Sequence, residues 1–173
     1  MRRVLVLVSL VGLVVAGCSS SSKSVGTNTT IATLATPPTS PAGVLTPNNL
    51  PGTFHLSVYI VSVDLTGHTI TVDPMAFLTG AAATAAFKQD HPGAGEDAPP
   101  NDYYIKNTTK DHDQLPLAAN TVVKLVHVGG TDHTQPLKVA LASLPGYPSL
   151  TSRPFQISGE NGTVTGVTET FVP

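Results

Sequence analysis

The chain has 173 residues, 12% of them charged, with nine basic against eleven acidic and a formal net charge of −2. Arg2 and Arg3 are two of the nine, and the rest form no cluster, so nucleic acid and anionic lipid headgroups are poor partners. Cys18 is the only cysteine; there is no disulfide framework, and folding must rest on packing and hydrogen bonds.

Residues 1–17 read as an export signal. Arg2 and Arg3 precede an apolar run over 4–15, broken only by Ser9 and Gly12. The run is shorter than the roughly 20 apolar residues a permanent membrane helix needs, and it has the flanks of a secretory signal. A chance cysteine after an ordinary signal is the alternative, and the residues after Arg2-Arg3 lack the rest of a twin-arginine pattern. The run closes on Val15-Ala16-Gly17-Cys18, which resembles the lipobox of bacterial lipoproteins. That resemblance implies cleavage before Cys18, a diacylglycerol on its sulfur, and a lipid anchor on the extracytoplasmic face of the cell membrane. Acyl chains contribute about 0.8 kcal/mol per buried methylene, so two or three hold firmly.

From Cys18 to residue 50 the composition turns to Ser, Thr, Pro, Gly and Asn, without helical or strand periodicity. Such a stretch reads as a disordered tether, about 30 Å across as a coil and about 110 Å when stretched. Ser/Thr/Pro tracts of this kind are substrates for O-glycosylation. The Asn-x-Thr triplets at Asn28, Asn107 and Asn161 are read as chance matches. Residues 51–173 are then one domain's worth of chain.

Within that domain, alternation over 53–63 predicts a strand. Phe54, Leu56, Val58 and Ile60 share one face and Tyr59, Val61 and Val63 the other, the pattern of a strand that bends. Residues 64–68 turn the chain, and a second strand returns with Ile70 and Val72 inward. Asp73-Pro74 fits an N-cap with proline at the first helical position, predicting a short helical piece through Phe77 and Leu78. Thr79 is placed to cap an alanine-rich helix, with Ala81, Ala82 and Ala85 close to a sheet and His91-Pro92-Gly93 as its end. Strands are expected over 101–107, 120–128 and 136–144, with Gly129-Gly130 in a hairpin turn. Asn161-Gly162 is a strong signal for a last hairpin, carrying Phe155 and Ile157 before the turn and Val164, Val167 and Phe171 after it. The opposite parity of Val164 and Val167 predicts a bulge near Gly166. The fold class is mostly β (α+β): a small, mostly antiparallel barrel or curled sheet, loosely OB-like, with one short helix displaced. An open α+β sheet is the alternative.

Three stretches, "VDPMAFLTGAAATAAF", "PPNDYYIKN" and "NGTVTGVTETFVP", together resemble small secreted or lipid-anchored actinobacterial proteins of uncharacterised function. The resemblance spans most of 54–173. It implies an envelope location and a compact β-rich domain, and brings no catalytic residues.

No Gly-x-Ser-x-Gly elbow, Ser-x-x-Lys pair or phosphate-binding glycine loop is present. Asp111-His112-Asp113 and Thr131-Asp132-His133 are the nearest thing to a metal constellation but read as solvated polar loops, because neighbours on a strand point to opposite faces and at most two of the first three could share an ion. Glu96-Asp97 lacks calcium-site spacing. His127 alternates with Val123 and Leu125 and reads as a partly buried histidine. No metal or cofactor is expected. Alternation over 101–107 puts Tyr103 and Ile105 inside and Asp102, Tyr104 and Lys106 outside, so Asn101, Asp102, Tyr104 and Lys106 are the candidate binding residues. The expected function is a non-catalytic envelope module that binds a protein, a glycan or a small molecule, or serves structurally. The alternative is a hydrolase or metal-dependent enzyme working with carboxylates such as Asp73, Asp102 and Glu169. An apolar lipid carrier is disfavoured, since a domain of this size with many alanines is small for the cavity required.

Overall fold

The computed structural model of the protein describes residues 45–50, 52–93, 95 and 97–173. Cys18, the signal and the 18–44 part of the expected tether lie outside the described residues. Strand β1 (Thr53–Asp64) buries Phe54, Val58 and Ile60. Its register slips between Ile60 and Ser62, after which Val63 packs on the core. The change of face read from the sequence is therefore a β-bulge. Asp64 Oδ1 then accepts the backbone N–H groups of Thr66 and Gly67, both at 2.9 Å, which tightens the turn.

Strand β2 (Thr69–Thr79) buries Ile70 and Val72 completely. It runs straight through Asp73 and Pro74, so the helix expected there does not form. Pairing with neighbours overrides the local cue. On one side β2 pairs with β1 through Met75; on the other it pairs with β4 (Asp113–Val128) over 69–72 and with β3 (Tyr103–Lys106) over 76–79. Pro74 falls in the gap between those two partners, where a missing N–H breaks no ladder on that side.

Helix α1 (Gly80–Asp90) follows with Thr79 at its N-cap, although the Thr79 side chain makes no capping bond. Ala83 is its buried residue, while Ala81 and Ala85 are exposed, so the packed face is rotated from the expected one. The His91 N–H reaches the Phe87 carbonyl at 2.9 Å and ends the helix.

The remaining strands are β5 (Thr131–Val139), β6 (Pro154–Glu160) and β7 (Thr163–Glu169). They complete a seven-stranded sheet in the order β3-β2-β1-β6-β7-β4-β5, with an additional β2–β4 pairing. Hydrogen bonds thus run in a ring through β1, β2, β4, β7 and β6. The β4–β7 pair is parallel and every other pair antiparallel. This is the mostly β, curled sheet with one helix that the sequence predicts. Its loose likeness to an OB-type barrel lies in the five-stranded ring, with α1 between the second and third ring strands.

The ring is filled by Val58, Ile60, Ile70, Val72, Leu115, Val123, Phe155, Ile157, Val164 and Val167, all at 0% exposure. Strand β4 is longer than expected, beginning at Asp113, and bends where its register with β7 shifts between Leu117 and Val122. Thr121 holds that bend by donating to the carbonyls of Ala118 (2.6 Å) and Val164 (3.0 Å). The strand expected to reach residue 144 stops at Val139, and a 3-10 turn, Leu141–Ser143, delivers Leu144 to the core.

At the last hairpin Asn161 and Gly162 both have positive φ, 47° and 75°, as a type I′ turn requires. A Cβ on Gly162 would also collide with Pro47. Ser158 faces Gly166 while Gly159 faces Val164; Thr165 is the extra residue, and the bulge expected near Gly166 is there. Leu45 and Leu50 belong to the core at 2% and 8% exposure. Between them Pro47–Asn49 forms a 3-10 turn, and the Leu45 N–H is accepted by the buried Asp113 Oδ2 at 2.8 Å. The folded part therefore reaches back at least to Leu45, with Leu45 and Leu50 packed on the core and 46–49 exposed, in contrast to the expected boundary at 51.

Candidate functional site

The gap that accommodates Pro74 also creates the most chemically distinctive site. The chain leaving β3 crosses it before entering β4 and lays Asn107 against Asp73. Asn107 Nδ2 donates to Asp73 Oδ2 at 2.8 Å. Asp73 is only 8% exposed, and both its Oδ1 and Asn107 Oδ1 are buried without a hydrogen-bond partner among the described residues. Flipping the amide would set its oxygen against the carboxylate, so this orientation is the favourable one. Tyr59, the cross-strand neighbour of Asp73, forms one wall of a cleft of about 470 Å³ that Lys110, His112 and Ser152 also line. Burial first, then Tyr103 and Asp73, hold the Tyr59 hydroxyl above its usual pKa, so it keeps its proton at neutral pH. One carboxylate oxygen of Asp73 beside the amide oxygen of Asn107, both buried and unpaired among the described residues, concentrates acceptor capacity at one place, and unpaired buried acceptors are costly.

The four candidates from 101–106 divide between two faces. β3 lies outside the ring, hydrogen-bonded only to β2. Tyr103 is consequently half-buried rather than core, stacked on Phe77 with ring centroids 5.3 Å apart. Asn101 and Asp102 sit beside it in a second cleft of about 410 Å³ that includes Phe171. Tyr104 points to α1. Its ring meets Phe87 edge-on at 5.8 Å, and its hydroxyl donates to Asp90 Oδ2 at 3.2 Å. Lys106 Nζ donates to Asp90 Oδ1 at 2.9 Å and, through that bond first, holds the Asp90 carboxyl below its usual range. Tyr104 and Lys106 thus tie the helix to the sheet, and Tyr104 is half-buried, not presented to solvent.

Glu169 anchors a third centre. The β4–β5 register slips between Leu125 and His127, and the freed Val126 N–H is accepted by Glu169 Oε2 at 2.6 Å. The same oxygen accepts Tyr147 Oη at 2.7 Å and the His127 N–H at 3.3 Å. Arg153 Nε lies 3.5 Å from Glu169 Oε1, and Arg153 Nη2 lies 3.4 Å from Asp132. Asp132 in turn pairs with His127 Nδ1 at 2.8 Å, so its partner is the cross-strand histidine and not the adjacent His133. That hydrogen bond, more than Arg153, lowers the Asp132 pKa. Glu169 works as a clamp on a bulge.

Asp73 and Asp102 line different clefts and Glu169 neither, so the three carboxylates weighed for catalysis are not brought together. Among the described residues no group of three or more His, Cys, Asp or Glu is placed to hold a metal ion. Glu96 lies outside the described residues; Asp97 pairs with Lys88 at 3.1 Å on the exposed surface. No described helix is long and apolar enough to cross a membrane. Asp73 was legible as a candidate. Its partners Asn107 and Tyr59 were not, since only the fold brings residues so far apart in the chain together. No family model, curated protein or solved structure matches the chain.

Proposed function

We propose that this is a cell-envelope lipoprotein, anchored through Cys18, whose folded part is a non-catalytic binding module with its ligand site at the Asp73–Asn107 cleft. The observation that carries the reading is the pair of buried acceptor oxygens, without partners among the described residues, on two side chains whose residues line an open cleft. Folded proteins pair nearly all such atoms, and a ligand that donates to them removes the penalty. The lipobox-like Val15-Ala16-Gly17-Cys18 and the resemblance to small lipid-anchored actinobacterial proteins support the address. Chemical-shift mapping of the ¹⁵N-labelled chain against separate probes (neutral saccharides, organic ammonium salts, inorganic phosphate, short peptides) tests the site. At least one class is expected to shift resonances clustered at Tyr59, Asp73, Asn107, Lys110 and Ser152. Silence there with every class overturns the reading. For the anchor, Cys18→Ala is expected to abolish incorporation of labelled fatty acid; equal labelling of both chains contradicts it.

A further inference from the structure

We infer that the Asp73–Asn107 cleft takes a neutral saccharide bearing adjacent hydroxyl groups; the inference rests on the binding reading above and names its ligand class. Asp73 Oδ1 and Asn107 Oδ1 flank a single hydrogen bond and accept from no donor among the described residues. A carboxylate has no proton to give and an amide oxygen is acceptor only, so the ligand must bring donors. An apolar ligand would seal both acceptors away from water unpaired, which is unfavourable. An anion would face the Asp73 carboxylate directly, as well as the negative end of the Asn107 amide dipole. An organic ammonium would satisfy Asp73 but would share the cleft with Lys110, and like charges in a partly desolvated site repel. A bare metal ion would find one carboxylate and one amide oxygen, without the group of three ligating side chains that is lacking among the described residues.

A polyol meets every demand at once. One hydroxyl donates to Asp73 Oδ1 and its neighbour to Asn107 Oδ1, the first as a charge-assisted bond. The same hydroxyls accept from Lys110, from His112 and from the Ser152 hydroxyl, which line the rest of the cleft. The Tyr59 ring supplies an apolar face for the C–H side of a sugar ring. The cleft volume of about 470 Å³ lies within the roughly 300–1,000 Å³ of small-ligand sites. Such sugars reach an envelope protein as short soluble saccharides or as units of an insoluble wall polysaccharide; the chemistry recognised is the same.

The test is calorimetric titration of the full chain in detergent with a panel of neutral mono- and disaccharides. Deoxy analogues, a tetraalkylammonium salt and inorganic phosphate serve as comparison probes, and co-sedimentation with purified wall polysaccharide as a parallel arm. The expected result is binding of a neutral saccharide, lost with an analogue lacking one of two adjacent hydroxyls. Asp73→Asn is expected to weaken it at least tenfold. Lys110→Ala, on the exposed rim where folding is not at stake, is expected to weaken it several-fold. Co-sedimentation with titratable short sugars marks a site that reads single units; co-sedimentation alone marks one that needs the polymer. Both support the inference if Lys110→Ala reduces them. Binding of the ammonium salt or phosphate in place of any saccharide overturns the ligand class while leaving the cleft as a binding site. Saccharide binding indifferent to both variants overturns the location, and silence from every probe overturns the binding reading as well.

Discussion

Replacing Glu169 with alanine isolates the contribution of one buried carboxylate to this fold. Glu169 is 1% exposed, and its Oε2 is the acceptor for Val126 N–H (2.6 Å) and Tyr147 Oη (2.7 Å). Removing it leaves two buried donors unpaired, at about 1–3 kcal/mol each. It also leaves Arg153, whose Nε is 3.5 Å from Oε1, without its buried counter-charge. The expected loss is about 3–5 kcal/mol, in the range for breaking a buried pair from one side. That is a large part of the roughly 5–15 kcal/mol that stabilises a domain. Glu169→Gln retains a carbonyl oxygen for Val126 and Tyr147 and is expected to cost less, about 1–2 kcal/mol. Urea melts of the three chains measure both, provided the slopes agree. A loss below about 1 kcal/mol for alanine, or equal losses for the two variants, would refute the clamp.

Leu45 and Leu50 are core residues, so trimming the chain to start at 51 is expected to cost at least about 2–5 kcal/mol, a single large-to-small core change. Trimming to start at 45 is expected to be neutral by thermal melting, and equal melting of the two trimmed chains would place the boundary at 51 after all. Tyr104→Ala is expected to speed amide exchange across α1, because Tyr104 meets Phe87 and Asp90 there, whereas Tyr103→Ala leaves α1 protected; the reverse order would mean the strand register is wrong by one residue. Burial foremost raises the pKa of Tyr59, Tyr104 and Tyr147. A raised folded-state pKa favours the protonated form, so this stabilisation is complete below about pH 10 and is lost as pH climbs above it. Absorbance at 295 nm should show the native chain ionising at higher pH than the urea-unfolded one; coincident curves contradict it.

Much of the ring was legible because its strands bury one face. The Phe54–Val58–Ile60 alternation, the parity change that became a bulge, and the Asn161-Gly162 turn each express a local rule that tertiary structure did not oppose. The failures share a cause. Asp73-Pro74 carries a good helix-start signal, but it sits between two strand partners, where proline costs no ladder bond and pairing with β1 prevails. Alternation correctly separated Tyr103 from Tyr104, yet it says nothing about whether a strand lies within the ring or on its edge. Tyr103 therefore faces Phe77 instead of the core. Leu45 and Leu50 were hidden by polar neighbours, since isolated leucines produce no periodicity. In the cleft, Asp73 was visible as a carboxylate beside a proline. Its Oδ1 and that of Asn107, both unpaired among the described residues, come together only once the crossing between β3 and β4 is in place.

The side-chain amide of Asn107 offers the most direct test of the central claim, because its N–H₂ already donates to Asp73 Oδ2 while its own oxygen has no donor among the described residues. Its two proton resonances, assigned by loss in Asn107→Ala, can be followed together with the Asp73 carboxyl carbon as a neutral saccharide is added. If the cleft is the binding site, all three signals move along one saturable curve with the same affinity. Saturable binding that leaves both Asn107 and Asp73 unmoved would show that the ligand sits elsewhere.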